Sequence, residues 1–374
     1  MSGEGDLSLR VPWLERHIEL QRLAALAKRI QSIHVATSDE IVEMAGKRYR
    51  KLRQRRRGSR GKIELELRRL ETVYTIAYSK LKEAARMPSI KEMGDYHKAL
   101  LEAFIGIDAY SRALRQLKKG VGLVKKFWDE YKLLITTSNN PREAARFRKE
   151  GCGRILSVVR RLNKHLKLLS EVRRELAKTH VIAEGLPIVV VAGIPNAGKS
   201  TLVSKLSTAK PEIAEYPFTT KQIIVGKVTT RTPHFYIVDT PGILEKAPSK
   251  YTPIEKKAIA ALKSLPDIIL FLVDASPSPA SGIREQARLA SEIAELVDKK
   301  FTRLMIAINK IDLAPQAVVK KAEDVLVKEL EGVSSSRLCR REATRISALK
   351  GVGLEQLIDH ILECLRATTP WIFA

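Results

Sequence analysis

The segment that most constrains the fold of this chain is GIPNAGKS at residues 193–200, which fits the pattern G-x-x-x-x-G-K-S/T. An apolar run with strand character, residues 188–191, comes directly before it, and a helical stretch, residues 202–206, comes after it. Successive backbone N–H groups in such a loop, with the N-terminus of the next helix, form a concave anion site. The segment therefore predicts a phosphate-binding loop between a strand and a helix.

The alternation of strand and helix continues through the C-terminal half. Short β-rich apolar runs, most of them separated by segments of helical length, lie at residues 188–191, 222–228, 235–238, 268–273 and 304–308. Strands that alternate with helices indicate a mostly parallel sheet covered on both faces, with the ligand at the carboxyl ends of the strands. We expect such a nucleotide-binding α/β domain over residues 183–374.

The N-terminal half has helical periodicity instead. One apolar stripe consists of Leu67, Leu70, Tyr74, Ala77 and Leu81, and a later helix carries Ile155, Leu162, Leu169 and Leu176 at intervals of seven. Pro88 and the stretches 120–122 and 139–141 have the composition of breaks between helices. The pattern predicts an all-α antiparallel bundle over residues 1–182, so that the chain as a whole is α + α/β. A further amphipathic helix is expected at residues 354–365.

Positive charge is concentrated in the helical half. Residues 1–180 carry 41 Lys and Arg against 21 Asp and Glu, a net of +20, and the remainder adds +5 to reach the total of +25. Such asymmetry indicates a polyanionic partner, either a nucleic acid or an anionic membrane surface. No apolar run approaches the roughly 18 residues that a membrane span needs, so RNA or DNA is favoured.

The cysteines and the N-terminal residues indicate the cellular compartment of the protein. Cys152, Cys339 and Cys364 are widely spaced and odd in number, which predicts neither a disulfide framework nor a zinc site. The N-terminus lacks the basic and then apolar order of a secretory signal. We therefore expect a soluble protein of the reducing cytoplasm.

A second motif, DTPG at residues 239–242, follows another predicted strand 46 residues after the phosphate loop motif begins. At that position the Asp239 carboxylate can hold the coordination shell of Mg²⁺, and Gly242 can offer its N–H to a γ-phosphate. Lys199 would pair with the β- and γ-phosphates, and the Ser200 hydroxyl would ligate the Mg²⁺. The pair of motifs predicts a nucleoside triphosphate bound with magnesium.

The base is predicted from NKID at residues 309–312 and from ISA at residues 346–348. A carboxylate at Asp312 can accept from both N1–H and the N2 amino group of guanine, and adenine has no such pair of donors. Asn309 would support the base and tie its loop to the phosphate loop, the Lys310 stem would cover the base face, and the Ala348 N–H would donate to O6. The motifs therefore favour guanine over adenine.

The residues predicted to bind the nucleotide lie in these four motifs. They are Gly193, Pro195, Asn196, Ala197, Gly198, Lys199, Ser200, Thr201, Asp239, Asn309, Lys310, Asp312, Ser347 and Ala348.

With these motifs the chain resembles the translation-factor class of GTPases, and its EYPFTTK at residues 215–221 resembles switch I of the Obg-related branch. The resemblance implies that Thr219 or Thr220 reaches the Mg²⁺ and the γ-phosphate in the GTP state. The set with direct catalytic roles is then Lys199, Thr219, Thr220 and Gly242, and the Mg²⁺ ligands are Ser200, Thr220 and Asp239. The alternative is that the two threonines only begin the next strand.

The helical half carries the resemblance further, because DYHKALL at 95–101, IDAY at 107–110 and ALRQL at 113–117 are similar to the Nog-type nucleolar GTP-binding proteins. Their family implies a role in assembling the large ribosomal subunit, with rRNA or a pre-ribosomal particle as partner. The chain stops soon after the 354–365 stretch, which resembles the shorter archaeal members rather than the eukaryotic ones with a long C-terminal extension. Nucleolar partners are accordingly not expected.

Many GTPases place a water-positioning Gln after the DxxG motif, but this chain has Ile243 and Leu244 there. Slow intrinsic hydrolysis is expected, with the transition state stabilised by a cation, an RNA surface or a partner protein. Asn196 matches the asparagine that related GTPases with such a substitution use to hold K⁺. The alternative is a structural role for Asn196 in the turn.

The densest cationic run follows residue 46. Its cations can contact RNA phosphates, or can form a solvated helix face or loop. The RNA-binding residues predicted from it are Lys47, Arg48, Arg50, Lys51, Arg53, Arg55, Arg56, Arg57 and Arg60. The whole chain is thus predicted to be an RNA-bound assembly GTPase, with a membrane-linked GTPase or an RNA-binding scaffold that holds GTP without using hydrolysis as alternatives.

Overall fold

The structure is a computed structural model. It describes residues 12–54, 58–178, 186–215, 222–231, 233–242, 244–245, 266–296 and 302–370, and for residues 12–17 and 296 it describes the backbone alone. The described residues form two compact units. One is made of Lys28–Glu92 and Ile105–Ala177, and the other of the described residues among 1–27, 93–104 and 178–374. The predicted domain boundary at residues 182 and 183 stays a prediction.

The described residues before 178 form the α-helices that the periodicity predicts. These are α1 (Pro12–Ser32), α2 (Ser38–Arg50), α3 (Gly58–Ala84), α4 (Asp95–Phe104), α5 (Ile107–Thr136), α6 (Pro141–Arg161) and α7 (Asn163–Ala177). A capping box at Thr37 begins α2, where its hydroxyl accepts from the Glu40 N–H and the Glu40 carboxylate accepts from the Thr37 N–H. The Asn140 side chain caps α6, which confirms the predicted break at residues 139–141.

The helical unit packs mainly through α3, α5 and α6. Leu70, Ala77 and Leu81 of the α3 stripe are buried, whereas Leu67 and Tyr74 are only half-buried. Burial of each large apolar side chain stabilises the unit by about 1.5–3 kcal/mol.

Two predicted details of the helices are wrong. Gly120 and Gly122 do not interrupt α5, which runs through both. Gly120 instead allows a close approach of Leu162, since a Cβ there would lie 2.4 Å from Cδ1 of Leu162. The single helix expected through Leu162 is two helices, since the Leu162 N–H ends α6 by donating to Val158 and Val159 carbonyls and α7 begins at Asn163. No Gly or Pro marks that turn.

The second unit contains the predicted sheet. Its strands are β1 (Ile188–Ala192), β2 (Glu212–Glu215), β3 (Gln222–Val228), β4 (Phe235–Asp239), β5 (Ile268–Asp274), β6 (Arg303–Asn309) and β7 (Thr344–Arg345). Their order is β2-β3-β4-β1-β5-β6-β7, and the pairs from β4 to β7 are parallel while β2-β3 and β3-β4 are antiparallel. The mostly parallel sheet is confirmed.

Four α-helices follow β1 among the residues that the structure describes. They are α8 (Lys199–Leu206), α9 (Ile283–Leu296), α10 (Gln316–Leu330) and α11 (Leu354–Thr368). Because β1 lies between β4 and β5, its carboxyl end opens at the point where the strand order reverses, which is where α/β sheets bind ligands. The edge strands β2 and β7 were not predicted, because β2 is mostly exposed and β7 has only 2 residues.

The prediction from the cysteines is also wrong, because Cys339 and Cys364 form a disulfide. The Cys339 N–H donates to the Leu304 carbonyl beside β6, and Cys364 is on α11, so the two thiols meet although 25 residues separate them. Cys152 is free and buried, and burial raises the pKa of its thiol to about 11.

Candidate nucleotide-binding site

The phosphate loop joins the carboxyl end of β1 to the N-terminus of α8, as the motif requires. Gly193 has φ 142° and a Cβ there would lie 2.5 Å from the Leu272 carbonyl oxygen. Gly198 has φ 97°, and a Cβ would lie 2.4 Å from Nδ2 of Asn309. Any side chain at either position would be strained and would collide with its neighbour, so the glycines are needed for the shape of the loop.

Lys199 is the first residue of α8, and its side chain turns back across the loop. Its Nζ donates to the carbonyls of Gly193 at 3.1 Å and Ile194 at 2.9 Å, and pairs with the Glu245 carboxylate at 2.8 Å. Lys199 is only 6% exposed, so its charge acts in a site that is largely shielded from water. An ammonium held across such a loop suits a phosphate ligand.

The predicted magnesium ligands Ser200 and Asp239 meet at the ends of α8 and β4. The Ser200 hydroxyl donates a hydrogen bond to Oδ2 of Asp239. Asp239 is fully buried, its Oδ1 has no hydrogen-bond partner among the described residues, and burial raises the pKa of the carboxyl group. A buried carboxylate oxygen without a donor, beside a hydroxyl, fits a hard cation with oxygen ligands such as Mg²⁺. Among the described residues no cluster of three His, Cys, Asp or Glu could hold a metal without help from a ligand.

Asn309, at the end of β6, connects the base-binding motifs to the phosphate loop. Its Nδ2 donates to the Ala197 carbonyl at 2.8 Å, and its Oδ1 accepts from the Ala348 N–H at 2.9 Å. The expected tie between Asn309 and the phosphate loop is therefore present. In this structure the Ala348 N–H points to Asn309, so its donation to a guanine oxygen stays a prediction.

Asp312 and Ser347 are brought together from separate loops. A hydrogen bond with the Ser347 hydroxyl, more than any other contact, lowers the pKa of the Asp312 carboxyl group. Lys350 lies 3.6 Å from Oδ2 of Asp312. The carboxylate is thus ionised and oriented, which is the state in which it can accept from two donors on one base edge.

Two residues that the sequence motifs did not include hold the base-binding loop. Nζ of Lys310 pairs with Oδ2 of Asp274 at 2.7 Å, and Asp274 is 1% exposed at the end of β5. The Gln286 amide oxygen accepts from the Asp274 N–H at 2.8 Å, and its Nε2 donates to the Asp274 carbonyl at 3.0 Å. Asp274 directly follows the predicted strand at residues 268–273, and that position is the signal that could have found it.

The remaining predicted residues have less defined surroundings. Pro195 and Asn196 are exposed at the tip of the phosphate loop, with Asn196 at φ 62°, and Thr201 is half-buried on α8. Gly242 follows β4 with φ 71°. Thr219 and Thr220 lie outside the described residues.

The basic run begins on the last turn of α2 and reaches into α3, and Arg55, Arg56 and Arg57 lie outside the described residues. Lys47 pairs with Glu43 at 2.5 Å, and Nη1 of Arg53 donates to the Arg50 carbonyl at 2.7 Å. Lys47 is exposed, and so are the remaining predicted cations of the run that the structure describes. They are Arg48, Arg50, Lys51, Arg53 and Arg60. Within the described part of the chain, none of the helices has the length and apolar character of a membrane span.

Two sequence profiles of known families match separate parts of the chain. The sequence profile described as "50S ribosome-binding GTPase" matches residues 188–310, and the one described as "NOG1 N-terminal helical domain" matches residues 28–182. An uncharacterized protein of Methanocaldococcus jannaschii is 35% identical over 257 residues, which are 68% of this chain and 71% of that protein.

Longer relatives are similar to most of this chain. Nucleolar GTP-binding protein 1 of Drosophila melanogaster is 27% identical over 73% of this chain, and the Arabidopsis thaliana protein of that name is 26% identical over 79%. The chain spans only 42% and 46% of the length of these two relatives. A crystal structure from Plasmodium falciparum, of a protein assigned as nucleolar GTP-binding protein 1, is 26% identical, covers 50% of this chain and 91% of its own, and has a TM-score of 0.41. On the two profiles and the 35% identical relative, this chain belongs to the Nog-type family of P-loop GTPases.

Proposed function

We propose that the chain binds GTP with Mg²⁺ at the loop between β1 and α8 and hydrolyses the GTP slowly. The observation that carries the proposal is the position of Asn309, whose side chain bonds both the Ala197 carbonyl and the Ala348 N–H. One amide thereby joins the loop predicted to hold phosphates to the loop predicted to read the base. Asp312, oriented by Ser347, is the group that would select guanine.

Different residues of the site would have different roles in phosphoryl transfer. Lys199 would neutralise phosphate charge, Ser200 and Asp239 would hold the magnesium ion, and Gly242 would offer a backbone N–H. The magnesium ion, when bound, neutralises charge that develops on the phosphate oxygens. Ile243 and Leu244 have no polar group to orient water, so hydrolysis without a further factor is slow. Asn196, exposed at the loop tip, would hold a K⁺ ion there.

The test is GTP hydrolysis by the purified chain at equal ionic strength in KCl and in NaCl, each with Mg²⁺ and with EDTA. We expect hydrolysis only with Mg²⁺, and faster turnover in KCl that Asn196→Ala abolishes. Thr208→Ala, on the loop after α8, is the matched control. Equal rates in the two salts would remove the K⁺ assignment, whereas absence of labelled GTP uptake, or equal uptake of ATP, would remove the nucleotide proposal itself.

We further propose that the chain acts in assembly of the large ribosomal subunit, with rRNA as the partner of its basic half. Support comes from the net charge of +20 over residues 1–180 and from the exposed cations at the end of α2. The profile matched by residues 188–310 is described as that of a ribosome-binding GTPase. Nucleotide state would then set the affinity for the particle.

Cosedimentation with purified ribosomal subunits tests this role. With a non-hydrolysable GTP analogue the chain should pellet with large subunits and release on exchange for GDP. The double variant Arg48→Ala/Lys51→Ala should pellet more weakly and with a shallower dependence on salt, because two phosphate contacts are lost. Equal pelleting with small subunits, or indifference to nucleotide, would contradict the role.

A further inference from the structure

Three half-buried aromatic rings form a continuous stack on the helical unit, which we call the aromatic stack: Tyr74 and Tyr78 of α3 and Trp128 of α5. The rings of Tyr74 and Trp128 are nearly parallel, with 4.7 Å between centroids and 9° between planes. The Tyr78 ring lies 5.2 Å from that of Tyr74 at 33°. Tyr74 thus lies between the other two rings, and Trp128 and Tyr78 are the outer rings of the aromatic stack.

A lysine covers each end of the aromatic stack. Nζ of Lys132 lies 5.7 Å from the Trp128 ring centroid, and Nζ of Lys82 lies 5.5 Å from the Tyr78 ring centroid. Neither ammonium forms an ion pair with another of the described residues. A lysine at the end of a flexible stem can move aside, so the ring face under it is open to a planar ligand while the charge stays close by.

Aromatic residues that only pack these helices together are more deeply buried than the aromatic stack. Tyr110 and Tyr131, also on α5, are 0% and 2% exposed, and the Tyr110 hydroxyl donates to the Pro88 carbonyl at 2.6 Å. The rings of the aromatic stack instead keep part of their surface in water. Large rings that remain partly exposed to water and have cations over their faces are typical of binding surfaces.

The aromatic stack adjoins a cavity between α2 and α3 that carries two cations. This cavity has a volume of about 390 Å³, and its lining combines the cations Arg48 and Lys51 with Glu71, Thr72 and Thr75 and with the apolar Leu52 and Ile76. Thr75 precedes Tyr78 by three residues on α3, and side chains at that spacing are neighbours on a helix. A ligand that crosses from the cavity to the rings would meet phosphate-binding cations first and a stacking surface next.

We infer that the aromatic stack and the α2–α3 cavity together bind an unpaired stretch of RNA, with a base on an outer ring and neighbouring phosphates at Lys132, Lys82 and the cavity. The inference rests on the proposed RNA partner and names the part of the RNA that is recognised. Unpaired bases offer their faces to aromatic side chains, whereas duplex RNA keeps its bases stacked internally and offers mainly its backbone.

The test is fluorescence anisotropy of labelled single-stranded and duplex RNA with the full chain. Loss of one stacking ring should weaken single-stranded binding about 5- to 100-fold in Trp128→Leu and Tyr78→Leu, and leave duplex binding nearly unchanged. The dependence on salt should keep its slope, because stacking releases no counterions. Phe127→Leu is the matched control, since its half-buried ring lies outside the aromatic stack, next to Arg154.

A direct readout avoids any folding defect of these variants. The chain has three tryptophans, and Trp13→Phe/Trp371→Phe leaves Trp128 as the single fluorophore. Single-stranded RNA should quench its emission, and duplex RNA and polyglutamate should not. Absence of quenching at saturating RNA, or equal quenching by polyglutamate, would overturn the stacking assignment.

The outcomes separate this inference from the proposed function. If Trp128→Leu and Phe127→Leu both bind single-stranded RNA as tightly as the wild-type chain does, the aromatic stack is not the binding surface. The proposed RNA partner would then stand. Failure of the wild-type chain to bind any RNA at low salt would remove both, while GTP binding, measured in the same samples, reports on the nucleotide site alone.

Discussion

Nζ of Lys199 lies 2.8 Å from Oε1 of Glu245, so the lysine of the phosphate loop is neutralised by a carboxylate from the segment that follows β4. The Gly193 N–H also donates to the Leu244 carbonyl at 3.2 Å, which fastens that segment to the loop. A phosphate and the Glu245 carboxylate would compete for the same buried ammonium. The Lys199 ammonium also donates to the Gly193 and Ile194 carbonyls, so its three N–H groups are occupied. We expect a bound nucleotide to displace Glu245, and with it the segment that contains the residues after Gly242.

Glu245→Gln should bind GTP and GDP about tenfold more tightly, because the competing charge-assisted hydrogen bond, worth roughly 1.5–3 kcal/mol, is weakened. Isothermal titration calorimetry measures the change. Glu331→Gln, an exposed position after α10, is the control and should leave both affinities unaltered. Weaker binding in Glu245→Gln would mean that the carboxylate orients Lys199 for phosphate instead of competing with it.

Asp312→Asn should lower GTP affinity by about 100-fold or more and shift preference toward xanthine nucleotide, because an amide cannot accept from both guanine donors. Lys199→Ala should weaken binding of every nucleotide alike. Competition with labelled GTP, GDP and XTP reads out both variants. Asp359→Asn on the exposed side of α11 is the matched control, and unchanged GTP affinity in Asp312→Asn would defeat the assignment.

We expect the folded chain to lose stability in mild acid because of His97. The ring is fully buried on α4, neither nitrogen has a hydrogen-bond partner among the described residues, and burial lowers its pKa from 6.5 to about 4. The unfolded chain therefore binds a proton below pH 6.5 that the folded chain refuses until about pH 4, so stability falls as the pH drops through that window.

Between pH 7 and pH 5 this single group should cost the fold about 2 kcal/mol. Urea denaturation at the two pH values should show that difference for the wild-type chain and for His34→Leu, whose side chain is exposed. The pH dependence of His97→Leu should be smaller by that amount. The same slope in all three proteins would show that another group titrates.

We expect the stability of the folded chain to depend on whether its disulfide is oxidised or reduced. Reduction of the Cys339–Cys364 bond, which closes a loop of 25 residues, should lower the free energy of unfolding by about 3 kcal/mol. Cys339→Ser should match the reduced wild-type protein and should not respond to reductant. Alkylation of the unfolded, unreduced chain followed by mass spectrometry should modify Cys152 alone, and modification of all three cysteines would mean that the bond does not form.

Several parts of the fold follow from the sequence because they depend on neighbours along the chain. Runs such as residues 268–273 are apolar enough to be strands wherever they are placed, and the Asn140-Pro141 pair caps a helix by local hydrogen bonds. Spacing also sufficed for the loop at 193–200, since a strand before it and a helix after it leave one geometry for the glycines.

Other features depend on atoms that are distant in sequence. The turn at Leu162 has no Gly or Pro to announce it, and the Gly120 approach to Leu162 exists only because α5 meets the α6–α7 junction. The Asp274 pair with Lys310 and the Glu245 pair with Lys199 have no spacing rule behind them.

The sequence by itself determined that this is a helical half joined to a P-loop GTPase domain, because periodicity and motif spacing are local properties. Tertiary structure alone decided which carboxylate faces Lys199, which ring lies on Trp128 and which cysteines meet. The physical reason is that a side-chain contact depends on how separate elements pack, and packing brings together residues from 25 to more than 50 positions apart.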